Sequence, residues 1–149
     1  MDGYLTQRRI LKMKQEPIDI IEHGLHATYQ GKMSFPEWVK TLVNAGIERY
    51  YADLVAQQVT YYATDGAVYT AKLSHPKALM SGITFSEKGV IDALRTVQRG
   101  EIIYPEFLNR AIKAGTVNYT IFLLGKEAHY IGAKGEIYIE KFPQRAKND

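Results

Sequence analysis

Two histidines on the first predicted helix have the spacing of a metal site. His23 and His26 lie three residues apart, so one helix face could carry both imidazoles, with Glu22 beside them. The chain offers only His75 and His129 as further histidines and has no cysteine. We therefore expect a solvated helix face here, and the sequence predicts neither a metal site nor a cofactor.

Two glutamates at matching places in the chain could form a pair of catalytic carboxylates. Glu37 and Glu106 each follow a proline at the start of a predicted helix, and paired carboxylates supply the acid and the base of glycoside hydrolysis. A carboxylate in the first turn also stabilises the positive end of a helix without any chemistry. This explanation covers both glutamates, so we predict no catalytic residue.

A surface that mixes charged and aromatic residues is the best candidate for binding. If Tyr50 and Leu54 point to the core, the two-residue period of a strand sends Arg49, Tyr51 and Asp53 to the other face of the sheet. The next strand and the second half of the chain contribute to the same face. The predicted ligand- or partner-binding residues are Arg49, Tyr51, Asp53, Tyr62 and His129.

The elements that carry these residues occur twice in the chain. Residues 21–69 align with residues 90–138 at a constant offset of 69 and without a gap. Eleven of the 49 aligned pairs are identical, where unrelated sequences would give about three. Most of the identities are glycines, prolines and tyrosines, which mark joints and core positions. We infer an internal duplication.

Each copy should begin with two amphipathic helices. Ser34 and Glu37 have the spacing of a capping box, whereas the second copy has Ile103 in place of the serine and should have a weaker cap. Gly46 and Gly115 should end the second helix of each copy, because glycine adopts a positive φ without steric cost. The first helix of each copy is predicted at about 18–30 and 87–99.

Three strands should follow the helices in each copy, because the apolar period changes from helical to alternating after the glycine. Asp65-Gly66 and Lys134-Gly135 indicate tight turns before the last strand of each copy. The predicted strands are 47–55, 59–63 and 67–72 in the first copy, and 116–124, 128–131 and 136–141 in the second.

These elements predict an α+β fold made by internal duplication of an α-α-β-β-β unit. Six mainly antiparallel strands should carry four helices on one face, with a pseudo-twofold axis between the halves. The length of the chain fits one domain, and neither half alone would bury enough apolar surface to be stable. We predict a basic N-terminal arm (1–16), a single domain (17–143) with repeats at about 17–72 and 86–141, and a C-terminal tail (144–149).

The charge of the chain lies in its tails. The 149 residues carry a formal net charge of +3, of which residues 1–16 and 141–149 each contribute +2, so the remaining residues are net −1. Such a domain lacks the basic surface that neutralises phosphates, which argues against a nucleic-acid partner. The sequence contains no membrane segment and no apolar run typical of a signal peptide. We expect a cytoplasmic protein.

Several short motifs of the duplicated unit resemble those of a bacterial family called domain of unknown function 1398. That family includes the prophage-associated YbcV-type proteins and has carried the label "phage envelope protein". The resemblance covers about residues 17–143 and implies a shared fold and a prophage origin, with no catalytic residues to carry over. The motifs are Ser34-Phe35-Pro36-Glu37, Ala45-Gly46-Ile47, Tyr61-Tyr62, Asp65-Gly66, Ala93-Leu94, Ala114-Gly115 and Tyr130-Ile131-Gly132.

The sequence leaves three functions open. The first is a non-enzymatic binding or interaction module, whose partner is a protein, a small ligand or a second copy of the chain. The second is a small-molecule enzyme with a cleft between the repeats and His129 or His75 as the titrating group. The third is a phage structural or assembly protein. The common catalytic motifs are absent from the sequence, which favours the first function.

Overall fold

The computed structural model describes residues 11–73 and 84–143 of the chain. Within these residues there are four helices and seven strands. The helices are α1 (Gln15–Tyr29), α2 (Phe35–Asn44), α3 (Glu87–Gln98) and α4 (Tyr104–Lys113). The strands are β1 (Leu11–Lys12), β2 (Ile47–Asp53), β3 (Gln58–Ala63), β4 (Ala67–Lys72), β5 (Thr116–Phe122), β6 (Glu127–Gly132) and β7 (Ile137–Lys141).

All seven strands belong to one sheet, in the order β1-β4-β3-β2-β5-β6-β7. Every neighbouring pair is antiparallel except β1 and β4, which are parallel. The predicted α+β class is confirmed, and β2 to β7 lie where the sequence placed six strands. The prediction missed β1, because two residues are too few to produce an alternating pattern. Leu11 and Lys12 therefore pair with the sheet, although they fall within the predicted arm.

The two halves of the sheet meet where β2 pairs with β5. Tyr51 lies opposite Thr120, with Arg49 opposite Phe122 and Asp53 opposite Asn118. With the offset of 69, Thr120 corresponds to Tyr51 itself, Phe122 to Asp53 and Asn118 to Arg49. The pairing of the two strands is therefore symmetric about Tyr51 and Thr120. Each strand also has an irregular register close to its start, between Ile47 and Arg49 in β2 and between Thr116 and Asn118 in β5.

The helix ends follow the sequence-based expectations. The Ser34 amide donates to Glu37 Oε1 at 2.9 Å, and the Glu37 amide donates to Ser34 Oγ at 3.3 Å, which completes the capping box of α2. Ile103 provides no side-chain cap for α4. Gly46 and Gly115 follow the two helices with φ of 86° and 94°, values at which other residues are strained.

The core lies between the four helices and one face of the sheet. Strand residues alternate between buried and partly exposed, so Tyr50, Ala52 and Leu54 of the β2 segment face the helices. Leu42 of α2 and Leu108 of α4 are fully buried against the same face. The opposite face of the sheet, called here the open face, carries no helix from the described part of the chain. The sheet therefore has one face packed on the core and one face without a helix over it in the described part of the chain.

Candidate functional site

The open face is built from three rows of side chains that cross the sheet. One row contains Thr60, Tyr51, Thr120 and His129, which lie directly opposite one another on β3, β2, β5 and β6. The adjacent row contains Tyr62, Arg49, Phe122 and Glu127 on the same strands. The two rows are two residues apart along each strand, which is about 7 Å, so they form one continuous surface. Four of the five predicted binding residues belong to these two rows.

Arg49 and Tyr62 form a pair beside a groove at one end of the sheet. The guanidinium carbon of Arg49 lies 4.0 Å from the centre of the Tyr62 ring, and Arg49 Nη1 lies 3.2 Å from Glu48 Oε2. The ring and the carboxylate together hold the guanidinium in place. The groove has a volume of about 660 Å³, and its lining also includes Leu11 and the turn Thr64–Ala67.

Asp53 has a structural role at the start of the turn that joins β2 to β3. Its Oδ1 accepts hydrogen bonds from the amides of Val55 at 3.0 Å and Ala56 at 2.9 Å. A short aspartate side chain commonly closes a turn in this way. Asp53 lies in the third row of the open face, opposite Gln58 on β3 and Asn118 on β5, and one of its oxygens is already occupied by the turn.

His129 lies on the second half of the open face, away from the groove. Its Nε2 is 2.7 Å from Glu127 Oε1, and its ring centre is 4.8 Å from that of Phe122. The imidazole is a quarter exposed. The structure thus places His129 on the sheet surface, whereas the enzyme hypothesis required a cleft between the repeats. His75, the other histidine of that hypothesis, lies outside the described residues.

The second half of the open face is more apolar than the first. Phe122 and Ile131 are partly buried there, and Ile137 and Ile139 of β7 are 47% and 45% exposed. The first half instead offers Arg49, Tyr51, Tyr62 and threonines. The predicted binding residues therefore form two groups, one around Arg49 and one around His129, joined by the row through Tyr51.

A buried ion pair between α3 and β7 was missed by the sequence analysis. Glu140 is 8% exposed and accepts hydrogen bonds from Arg95 Nη1 at 2.6 Å, Gln98 Nε2 at 3.1 Å and the Tyr138 hydroxyl at 2.5 Å. Burial alone would raise the pKa of Glu140, but these hydrogen bonds outweigh it and hold that pKa below its usual value. A glutamate at an inward position of a strand was the signal that could have revealed the cluster.

The tyrosines retained between the repeats belong to the core side of the sheet. Tyr61 is fully buried and Tyr119 nearly so, and the hydroxyls of Tyr104 and Tyr119 are hydrogen-bonded to each other. Burial raises the pKa of Tyr104 to about 12. The Tyr69 hydroxyl donates to Glu22 on α1, which together with burial raises the pKa of Tyr69 to about 12. The hydroxyls of Tyr69 and Tyr104 therefore stay protonated at neutral pH and have structural roles, whereas the buried Tyr61 hydroxyl has no partner among the described residues.

The described ranges 11–73 and 84–143 hold no group of three His, Asp or Glu side chains close enough to share a metal ion. Over the same ranges, no helix has the length and apolar character needed to cross a membrane.

What the open face does offer is aromatic rings, one guanidinium and hydroxyl groups. This chemistry suits recognition by stacking and hydrogen bonding.

Comparison with known proteins confirms the resembled family but over a different range: the match includes part of the predicted arm and stops before the second copy, whereas the resemblance was predicted for about residues 17–143. Residues 5–72, which include the strands β1 to β4, match the family model described as Protein of unknown function (DUF1398). The chain is also 30% identical over 112 residues to uncharacterized proteins of Mycobacterium bovis and of two strains of Mycobacterium tuberculosis. Each match covers 72% of this chain and 66% of the mycobacterial protein. Residues 5–72, just under half of the chain, are thus similar to a family of proteins of unknown function, DUF1398.

Proposed function

We propose that this protein is a non-enzymatic bacterial binding module whose partner is another protein that docks on the open face. The observation that carries the proposal is the Arg49 and Tyr62 pair beside the groove. Arginine and tyrosine are enriched among the residues that dominate binding energy at protein interfaces. Here the Arg49 side chain is 35% exposed and is already held over the Tyr62 ring at 4.0 Å. A partner therefore meets a guanidinium that has little rotamer freedom left to lose.

The charge balance of this region supports recognition by shape and stacking. Glu48 lies 3.2 Å from Arg49 and neutralises most of its field. Long-range attraction of an acidic partner would therefore be weak, and the aromatic and aliphatic surface of the groove would supply most of the affinity. The adjacent Tyr51 extends this surface towards the centre of the sheet. A loop of a protein that carries an apolar side chain into the groove is the occupant that fits this chemistry.

We also propose that the fold arose by duplication, with a pseudo-twofold axis between β2 and β5. The register centred on Tyr51 and Thr120 supports this proposal. So do the positive φ values of Gln57 and Lys126, which are 60° and 58° at positions 69 residues apart. The division into repeats at about 17–72 and 86–141 within one domain follows from the same correspondence. The predicted arm (1–16) and tail (144–149) lie outside it, and β1 and the start of α1 attach residues from Leu11 onward to the domain.

A prophage origin and a cytoplasmic location complete the proposal. The origin is suggested by the phage label of the family that the sequence motifs resemble. A role as a phage structural or assembly protein is the second candidate function, and the exposed isoleucines of β7 favour it because self-assembly requires an apolar surface. The two candidates use different halves of the open face and can be tested separately.

The test is affinity purification of the tagged protein from a bacterium that naturally encodes it, followed by mass spectrometry. We expect a co-purifying protein that is retained by wild type and lost with Arg49→Ala or Tyr62→Ala, whose affinities should fall by about 30-fold or more if they are central anchors. Arg99→Ala is the matched control, because Arg99 forms a comparable surface pair with Glu101 at 2.8 Å. It should retain the partner.

Two outcomes would contradict the proposal. Retention of the same protein by all three variants would place its docking site elsewhere. A small molecule seen by native mass spectrometry, and lost with Tyr62→Ala, would replace the protein partner with a ligand in the groove. Circular dichroism of each variant separates these outcomes from unfolding.

A further inference from the structure

β7 is an edge strand whose outer side is not paired within residues 11–73 and 84–143. The opposite edge of the sheet is different, because β4 is covered by β1 through the pairs Leu11 with Ala67 and Lys12 with Val68. With the offset of 69, β4 corresponds to β7. The fold therefore covers the start of one of the two corresponding edges with its own chain, whereas no segment of the described residues pairs with the other.

The free backbone groups of β7 can be assigned from its pairing with β6. The Phe142 amide donates to the Lys126 carbonyl at 2.9 Å, and the Gly132 amide donates to the Glu136 carbonyl at 2.8 Å. In an antiparallel pair these inward groups alternate along the strand, so the backbone groups of Ile137, Ile139 and Lys141 point outward. The side chains of the same three residues are exposed on the open face.

This edge lacks two of the usual devices that prevent strands from pairing, a proline and a bulge, although it is short and ends in the charged Lys141. β7 contains no proline, and its register with β6 is continuous, without the irregularities seen in β2 and β5. Ile137 and Ile139 are nearly half exposed. An exposed apolar edge of this kind is a template for a further strand.

We propose that β7 pairs with β7 of a second copy of this chain, antiparallel and with the twofold axis at Ile139. In that register Ile139 faces Ile139 of the other copy, and Ile137 faces Lys141. Each facing pair exchanges two backbone hydrogen bonds, because all three residues have outward amides and carbonyls. The sequence of the edge is thus complementary to itself, which a closed dimer requires.

The side chains on the open face fit the same arrangement. The two Ile139 side chains lie together at the axis, and the aliphatic stem of each Lys141 covers Ile137 of the other copy while its ammonium group reaches water. Within one chain, Lys141 already lies opposite Glu127 on β6, which balances its charge next to the interface. The dimer continues the sheet from one copy into the next and covers the most exposed apolar residues of β7.

A single cysteine provides the first test, because the chain has no cysteine of its own. Cα atoms in a hydrogen-bonded antiparallel pair are about 5.5 Å apart, which is within the range of a disulfide. Ile139→Cys should form a covalent dimer on mild oxidation of the purified full chain. Thr70→Cys is the matched control, because Thr70 is the corresponding residue of β4, is also exposed, and lies on the strand that β1 covers. It should stay monomeric.

Sedimentation equilibrium of the untagged protein provides the second test. Wild type should show a concentration-dependent dimer, and Ile139→Lys should raise its dissociation constant at least about tenfold. Thr70→Lys should leave the dissociation constant unchanged. Circular dichroism of both lysine variants shows whether the fold is retained, and Ile139→Thr offers a milder change of the same position that keeps a residue suited to a strand.

Three outcomes would overturn the proposal. The first is a wild type that stays monomeric at every concentration. The second is equal cross-linking of Ile139→Cys and Thr70→Cys, which would indicate random collision. The third is slow hydrogen exchange of the Ile137, Ile139 and Lys141 amides in the monomer, since another segment of the same chain would then cover the edge. None of these outcomes bears on the partner proposed for Arg49 and Tyr62.

Discussion

The two halves of the molecule reach the same helix packing with different residues. In the first half Gly24 of α1 lies against Trp38 of α2, so closely that a Cβ at position 24 would be 2.1 Å from the ring. The corresponding residues of the second half are Ala93 and Phe107, both buried. Compared with the first half, the second half therefore has an additional methyl group on α3 and a smaller ring on α4. The spacing of a helix pair is thus set by the sum of two side chains, and either can change if the other compensates.

The polar contacts of the two halves differ in the same manner. Tyr69 and Tyr138 correspond to each other, and each donates a hydrogen bond to a carboxylate. In the first half that carboxylate is Glu22 of α1, whereas in the second half it is Glu140 of the same strand, which Arg95 neutralises. The tyrosine is present in both halves, whereas its acceptor lies on a helix in the first half and on a strand in the second. Substitutions that bring the residues of one half into the other therefore test whether the two halves are independent in stability.

The largest effect is expected at the ion pair that the buried Glu140 forms with the partly exposed Arg95 in the second half. Arg95→Ala leaves Glu140 buried without its cation, which should lower the free energy of unfolding by about 2 to 3 kcal/mol, less than for a fully buried pair because Arg95 itself is 43% exposed. His26→Ala changes the corresponding and exposed position of α1 and should cost less than about 0.5 kcal/mol. Urea denaturation measures both. Equal losses would show that Glu140 does not depend on Arg95.

The same pair predicts how stability depends on pH. Because the pKa of Glu140 in the folded protein is below the 4.5 of the unfolded chain, its stabilising effect is present above pH 4.5 and is lost as pH falls through the folded value. Glu140→Gln should therefore flatten the acid side of the curve of unfolding free energy against pH. An unchanged slope between wild type and variant would contradict the lowered pKa.

The next effect concerns the helix packing of the first half. Gly24→Ala should cost about 2 kcal/mol, because the overlap with Trp38 outweighs the roughly 1 kcal/mol that alanine gains in helix propensity. Combining Gly24→Ala with Trp38→Phe reproduces the pair of the second half and should recover most of the loss. Thermal unfolding of the two single variants and the double variant gives the coupling energy. Additive losses would show that the two halves tolerate different spacings.

A smaller effect is expected at the caps of α2 and α4. Ser34→Ala removes the capping box and should cost about 1 kcal/mol. Ile103→Ser introduces the same serine three residues before Glu106, and should stabilise the protein by about 0.5 to 1 kcal/mol because Ile103 is 48% exposed and contributes little burial. Both changes are read from the midpoint of chemical denaturation. A destabilising Ile103→Ser would mean that the isoleucine packs more than its exposure indicates.

The smallest effects are expected on the open face. Arg49→Ala, Tyr51→Ala and Tyr62→Ala should each cost less than about 1 kcal/mol, because these side chains lie on the face away from the helices. Far-ultraviolet circular dichroism and thermal unfolding provide the check. Loss of the fold in any of the three would show that this face contributes to the core, and would remove the basis for treating it as a binding surface.

Most of the fold could be predicted because it is encoded locally. Glycines at the helix ends, the Ser34 capping box and the alternating apolar residues each depend on a few neighbouring positions, and β2 to β7 lie where they indicated. The missed β1 depends instead on contact with β4, 56 residues away in sequence. Long-range pairing of so short a segment leaves no trace in its own composition.

The sequence predicted which face of the sheet carries the candidate site, but not which residues its side chains contact. The alternation of β2 correctly assigned Arg49, Tyr51 and Asp53 to the side away from the helices. It could not show that Asp53 closes a turn, that Arg49 stacks on Tyr62, or that His129 pairs with Glu127. These contacts depend on side-chain conformations and on register, which a single sequence does not specify.

The register of β2 and β5 has a consequence for how the molecule could be divided. Because the pairing is centred on Tyr51 and Thr120, the backbone bonds between the halves join positions that are equivalent in the two halves. A chain of half this length could form the same bonds with an identical chain. The central seam of the sheet is therefore equivalent to the interface of a symmetric two-chain assembly, and two separately expressed halves would carry complementary edges for reconstitution.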